Sequence, residues 1–191
     1  MSKTGKLVVI SGPSGVGKGT IARRVMAQTG AAFSVSATTR APRPGEIDGR
    51  DYRFVDRGTF EKLVADGQMV EWAEVFGQLY GTPREPVRQT VQAGGTILLD
   101  IDVQGGLQVH DAMPDATFVL IVPPSDEELA RRLHGRGSED AAAAGRRLEK
   151  AKKEIAAATR SGVYNHIVVN DDLETAVCEV IRIVQQEPDK G

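Results

Sequence analysis

One cysteine, Cys178, is all the chain has, which excludes an internal disulfide and most cysteine-based metal sites. Val177 and Val180 lie beside it in a helical pattern, so its expected place is the buried core. The three histidines, His110, His134 and His166, are scattered without ligand spacing. No sign of charge dominates: 24 basic residues face 26 acidic ones, a net charge of −2. That balance argues against a nucleic-acid coat or a membrane-surface protein. No apolar run approaches the roughly 20 residues of a membrane span, and no charged, apolar, small-residue leader opens the sequence. These absences leave a cytosolic enzyme with no nucleic-acid or membrane partner. Its 191 residues suffice for one good core with smaller appended lobes.

What is present is a regular alternation. Apolar runs bounded by turn signals recur at Leu7–Ile10, Ala32–Val35, Ile97–Ile101, Phe118–Val122 and Ile167–Val169. Helical patterns separate them, which predicts about five parallel strands covered by helices on both faces. Ile21, Val25 and Met26 share one face of the first helix, which stops near Gly30. Ser125 with Glu128 predicts a capping box for the helix carrying Leu129 and Leu133, and Asp171 with Glu174 predicts another for the last helix. The inner face of that last helix reads Leu173, Val177, Val180, Ile181 and Val184.

Two stretches break the alternation. From Thr38 to Gly95 the chain is polar and arginine-bearing, with short strand-like pieces at Tyr52–Val55, Met69–Glu74 and Gln78–Thr82. Phe60, Leu63 and Val64 predict a short helix there, and Thr82-Pro83 starts another. The second break, Gly135–Gly137, precedes a long helical run from Ser138 to about Ser161. Insertions at the carboxyl ends of parallel strands lie where ligands bind, so the two stretches read as a second-substrate lobe and a lid.

The chemistry is clearest in Gly12-Pro13-Ser14-Gly15-Val16-Gly17-Lys18, which follows the first apolar run and opens a helix. Glycines let backbone N–H groups turn inward around an anion, and the helix start adds positive potential. Lys18 supplies a mobile charge for the β- and γ-phosphates of a nucleoside triphosphate. The usual loop carries Ser or Thr directly after the lysine, where the hydroxyl meets Mg²⁺. Here that place is Gly19, and the hydroxyl comes at Thr20, which either reaches a phosphate or caps the helix. Mg²⁺ is therefore expected on phosphate oxygens and waters, with a carboxylate behind the waters.

Arg40 and Arg43 flank Pro42, and two guanidiniums on a stiffened loop can grip one phosphate from two sides. Asp100 ends the apolar strand Thr96 to Leu99, so its carboxylate emerges near the glycine loop, as a residue orienting Mg²⁺ through water would. Asp102 is open to two readings, a nucleotide contact or a cap for the following helix.

With Glu71-Trp72, Tyr80-Gly81-Thr82, Ser36 to Gly45, Asp51-Tyr52, Leu99 to Asp102, Arg132 to Gly137 and Val169 to Asp172 added in this order, the chain resembles guanylate kinase over nearly its whole length. The resemblance implies a P-loop NTPase-type α/β fold: a three-layer core with a five-stranded parallel sheet, a GMP-binding lobe and a helical lid. It divides the chain into a core of 1–37, 96–126 and 162–191, a lobe of 38–95 and a lid of 127–161. It implies transfer of the γ-phosphoryl group of ATP to GMP in purine nucleotide metabolism, with Mg²⁺ accompanying ATP. ATP is expected on the loop residues Gly12 to Thr20 and, on its adenine side, at Asn170, which is equally open to reading as a helix cap. GMP is expected on Ser36, Arg40, Arg43, Tyr52, Glu71, Tyr80, Thr82, Asp100 and Asp102; whether dGMP serves beside it stays open. Arg40, Arg43, Tyr52 and Tyr80 would hold its phosphate, Glu71 the ring N–H and amino group, and Thr82 the carbonyl oxygen, with Ser36 on the same wall. Leu79 stands where many relatives carry another tyrosine. Lys18 and the lid arginines Arg132, Arg136 and Arg147 would stabilise the transferring phosphoryl group. A kinase for a ribose phosphate would have no use for Glu71, Tyr80 and Thr82 together. A scaffolding module would have no use for Lys18 and the lid arginines.

Overall fold

The computed structural model describes residues 5–134 and 141–186. Strand β1 (Lys6–Ser11) runs straight into the glycine loop and helix α1 (Lys18–Thr29), which ends at Gly30 in the left-handed conformation. Then follow β2 (Ala32–Phe33), β3 (Ala37–Thr38), β4 (Arg53–Phe54), α2 (Arg57–Ala65), β5 (Met69–Val75), β6 (Gln78–Pro83) and α3 (Arg84–Gln92). The chain continues through β7 (Thr96–Asp100), α4 (Val103–Ala112), β8 (Thr117–Val122), α5 (Asp126–His134), α6 (Ala141–Ser161), β9 (His166–Val169) and α7 (Leu173–Gln185). A five-stranded sheet in the order β2-β7-β1-β8-β9 is parallel throughout.

The apolar runs are continuous because both faces of this sheet are buried. In β1, Val8 and Ile10 point to one face, where Ile21 and Val25 of α1 meet Val177 and Val180 of α7. Leu7 and Val9 point to the other, against Val87 of α3, Val103 and Val109 of α4, and Ala158 of α6. Edge strand β9 buries only Val168 and leaves Ile167 and Val169 about half exposed. β1 lies between β7 and β8, with Ile10 opposite Asp100. The segments leaving the carboxyl ends of β1 and β7 therefore share one crevice.

A second sheet, β4-β3-β6-β5, pairs mostly antiparallel and closes its own small core of Ala37, Phe60, Met69 and Leu79 under α2. Leu79 thus serves as lobe core. The lobe is tied to α4 by Gln108, whose side chain accepts from Trp72 N at 3.1 Å and donates to Trp72 O at 3.0 Å. Within the 38–95 stretch, α3 packs on the parallel sheet through Val87 and Val91. Helices α5 and α6 clasp each other through Leu129, Leu133, Leu148 and Ala151.

Several local expectations change. The second strand stops at Phe33 instead of reaching Val35, because the chain leaves for the lobe. Pro83 is the N-cap of α3, one place earlier than a first helical residue. The cap of α7 is Asp172, which accepts from Thr175 N at 2.9 Å, and not Asp171; Glu174 pairs instead with Arg24 of α1. Helix α7 buries Ala176, Val177, Val180, Ile183 and Val184, and on that phase Cys178 lies off the packed face, exposed and not core. Ser125 Oγ accepts from Glu128 N at 3.2 Å, the forward half of the expected box, while the Glu128 carboxylate turns to Arg131 and Arg132. Among the described residues no helix is long and apolar enough to cross a membrane.

Candidate active site

The glycine loop turns tightly against fixed neighbours. Gly12 has φ +151°, and a Cβ there would stand 2.3 Å from the backbone oxygen of Ile121 on β8. Gly17, φ +98°, is the N-cap of α1, and a Cβ on it would stand 2.6 Å from Asn170 Nδ2. Both positions need the missing side chain. Asn170 is buried and donates its amide to Val16 O at 2.7 Å, so it braces the loop from behind. It does not cap a helix, since Asp172 caps α7, which corrects that reading of it. Its backbone N–H is spent on Val122 O at 2.8 Å, continuing the β8–β9 pairing.

Above the loop lies a cavity of about 280 Å³ walled by Ser14, Gly15, Gly17, Lys18, Thr20 and Asp100, with Gly19 and Arg23. Lys18 Nζ rests on the loop carbonyls, 2.6 Å from Gly12 O and 3.1 Å from Pro13 O. Thr20 is in the wall, and the capping role falls to Gly17. Arg147 of α6 reaches across the cavity, its Nη2 donating to Ser14 Oγ at 3.1 Å. Arg132 is half-buried and pairs with Glu128 at 2.6 Å, while Arg131, on the same carboxylate, is exposed. These two guanidiniums hold the Glu128 carboxyl at about 2. Arg136 lies outside the described residues.

A second cavity, of about 250 Å³, is walled by Ser36, Tyr52, Glu71, Tyr80, Asp100 and Asp102. Glu71 comes from β5 and is 7% exposed, with Oε1 accepting from Thr82 Oγ1 at 2.7 Å. Burial raises its carboxyl above the usual range, the Thr82 bond opposes this, and the Asp102 charge adds to it. Thr82 is fully buried, and its hydroxyl donates to this carboxylate and orients it. Gly105 makes room on the far side: a Cβ there would lie 3.1 Å from Glu71 Oε2. Asp102 caps α4, accepting from Gly105 N at 2.8 Å, and also lines the cavity.

At the other end of this cavity the Tyr52 and Tyr80 rings meet edge to face at 6.1 Å, and the Arg40 guanidinium sits 5.4 Å from the Tyr52 centroid. Burial pushes the Tyr52 phenol up, so it is an O–H donor at neutral pH. Glu46 Oε1 holds Arg40 at 2.9 Å, and Glu46 Oε2 accepts from Arg43 N at 2.7 Å. Arg43 itself is exposed on the loop. Asp100 is common to both cavities. Burial raises its carboxyl, and the charges of Lys18 and Arg23 pull it back. Arg23, Gly105 and the half-buried Glu154 of α6, which interacts with the Lys18 and Asp102 charges, were missed from sequence. For Arg23 the signal was there, one helical turn after Gly19.

A polyphosphate cradle and a purine-sized cavity meeting at one carboxylate are what direct transfer between two bound nucleotides demands. A phosphotransferase of the nucleoside monophosphate kinase class is thereby defined. The comparisons carry this to a particular family. The family model described as guanylate kinase matches residues 4–187. The chain is 48% identical over 174 residues to a guanylate kinase of Synechococcus elongatus, covering 91% of this chain and 93% of that one. It is 48% identical over 183 residues to one from Thermus thermophilus, covering 96% and 82%. The crystal structure of guanylate kinase from Anaplasma phagocytophilum superposes with a TM-score of 0.75 at 35% identity, over 98% of this chain and 88% of that one. The chain belongs to the guanylate kinase family, the ATP:GMP phosphotransferases.

Proposed function

We propose that ATP occupies the loop cavity, GMP the Glu71 cavity, and that transfer takes place beside Asp100. The observation that supports this division is that Asp100 belongs to both walls. Guanine presents an adjacent ring N–H and amino group, two donors that suit the two oxygens of a carboxylate; adenine offers an unprotonated ring nitrogen there. With the base against Glu71, the phosphate lies toward Arg40, Tyr52 and Tyr80. Arg43 would join them by moving inward with the ligand.

The GMP phosphate oxygen attacks the γ-phosphorus in line, the bond to the bridging oxygen breaks, and ADP leaves with GDP as the other product. The nucleophile is anionic at neutral pH, so no general base is required. Catalysis falls to positioning and charge, from Lys18, the backbone loop and Arg147, with Arg132 and Arg136 brought in as α5 and α6 close as a lid. Closure would also exclude water as a competing acceptor. The residues fit magnesium in one form. Gly19 offers no hydroxyl, and no three potential protein ligands cluster among the described residues, but Asp100 faces the loop cavity. Magnesium would come with ATP and neutralise its phosphates, with Asp100 holding its waters.

A coupled assay with ATP and each nucleoside monophosphate tests the reading. GMP is expected to turn over at least about 100-fold better than AMP, CMP or UMP in kcat/KM, from the cost of a mismatched polar edge. Equal use of AMP would end it. The carboxylate also predicts a pH dependence. Glu71 accepts two donors only when ionised, and its pKa is raised, so the KM for GMP should rise as pH falls, starting above the usual carboxylate range. Thr82→Val removes the bond that favours the ionised form and should move that rise to higher pH. The ATP profile would stay in place, since Thr82 does not line the loop cavity. A Thr82→Val profile for GMP superimposable on the parent's would refute the assignment.

A further inference from the structure

Gly19 and Arg23 have no role in the mechanism above. The inference that follows rests on the loop cavity being the ATP site. Gly19 is where a hydroxyl-bearing residue is expected, and it is closely hemmed: a Cβ there would stand 3.2 Å from Asp100 Oδ2. One turn along α1, Arg23 donates from Nε to Gly19 O at 3.1 Å, and the residue forms part of the cavity wall together with Lys18, Thr20 and Asp100. Its neighbour Arg24 points elsewhere, held by both guanidinium nitrogens on the Glu174 carboxylate of α7. Of two adjacent arginines, one is a structural tie between helices and the other borders the anion cavity. The Nε bond anchors the Arg23 guanidinium by one edge, and its remaining N–H groups can serve an incoming anion.

We propose that Arg23 is a second cationic phosphate-binding residue of the donor site, and that side-chain-free Gly19 gives its guanidinium access to the triphosphate. A forked, permanently charged donor suits two phosphate oxygens at once, which the point charge of Lys18 does not. With no hydroxyl at position 19 to address a cation, the chain answers the phosphate charge directly with a guanidinium. Its hold on ATP therefore depends less on the divalent ion than a loop with Ser or Thr would allow.

Equilibrium titration with ATP, in EDTA and in excess Mg²⁺, tests this on the whole chain. The parent protein is expected to bind ATP in both conditions. Arg23→Ala should weaken binding about 10-fold in EDTA, the loss of a charge-assisted hydrogen-bond pair, and clearly less in Mg²⁺, where the ion covers part of the charge. Arg23→Lys should recover part of the EDTA affinity, because charge returns without the fork. In steady state the KM for ATP should rise with little change in the KM for GMP, and the thermal midpoint should hold, since the side chain lies outside the core clusters. Arg23→Ala within twofold of the parent in EDTA overturns the proposal, as does an equal loss of GMP binding. Failure of the loop assignment itself looks different: the parent would not bind ATP in either condition.

Discussion

Lys18→Ala abolishes turnover and leaves the fold standing. Lys18 is the first residue of α1 and only partly buried, and its ammonium contacts the loop carbonyls of Gly12 and Pro13. The start of α1 depends on Gly17 as cap and on Asn170 bracing Val16, neither of which the substitution touches. What is lost is a positive charge that can travel with the phosphoryl group as it moves from ADP to GMP. A preorganised charge aimed at the transition state is worth about 10²–10³ in kcat, and Lys18 is the loop's own contribution, so a fall of about 10³ or more is expected. A coupled assay gives the rate, and thermal unfolding with circular dichroism shows whether the fold is retained. A variant that turns over near the parental rate would falsify the placing of ATP on this loop.

Glu71→Gln separates base recognition from stability. The carboxylate is buried, held by Thr82, and backed by Gly105. Glutamine keeps the shape and an acceptor for the Thr82 hydroxyl but turns the second oxygen into a donor, which meets the guanine donors head on. A buried donor left facing a donor costs about 1–3 kcal/mol, so kcat/KM for GMP should fall by about 10- to 100-fold, while ATP affinity stays within about twofold. The stability change has the opposite sign. The raised pKa means that ionised Glu71 is less favourable in the fold than in the unfolded chain. Its contribution to stability is full below the unfolded-state pKa and lost as pH rises through the folded-state one. At neutral pH the neutral glutamine should therefore match or exceed the parent's thermal midpoint in the unliganded protein. Glu71→Ala would lose the same selectivity and also strand the Thr82 hydroxyl, so it should be less stable than Glu71→Gln. Unchanged preference for GMP over AMP in competition assays with either variant would remove Glu71 as the base reader.

Much of the molecule was legible from patterns with a short reach. The parallel strands announced themselves because a strand buried on both faces has no polar positions to break its apolar run. Strand β9 was legible too, although Ile167 and Val169 turned out exposed at the sheet edge, which the run alone does not distinguish. The glycine loop was readable because backbone geometry demands its glycines in a fixed order. Errors came where the choice falls among adjacent residues: Asp171 and Asp172 are equally good caps in isolation, and Cys178 faces out because α7 packs through Ala176, Val177, Val180, Ile183 and Val184. Arg23 and Arg24 pose the same problem, since only the position of Glu174 on α7 shows which of them is committed elsewhere.

By itself the sequence determined the alternating α/β order and the phosphate loop, which follow from local backbone geometry and side-chain chemistry, while the residues proposed for guanine came from the resemblance to guanylate kinase. Which partner each polar side chain takes was decided only by the tertiary structure. Thr82 donates its hydroxyl to Glu71, and Asn170, which sequence leaves open as a helix start, donates its amide to the loop backbone while Asp172 caps α7. The meeting of two cavities at Asp100 was likewise settled by the sheet, where the pairing of Ile10 with Asp100 brings residues 90 positions apart side by side. Hydrogen-bonding groups are satisfied by whatever packing brings within about 3 Å, and that distance is a property of the assembled sheet and helices.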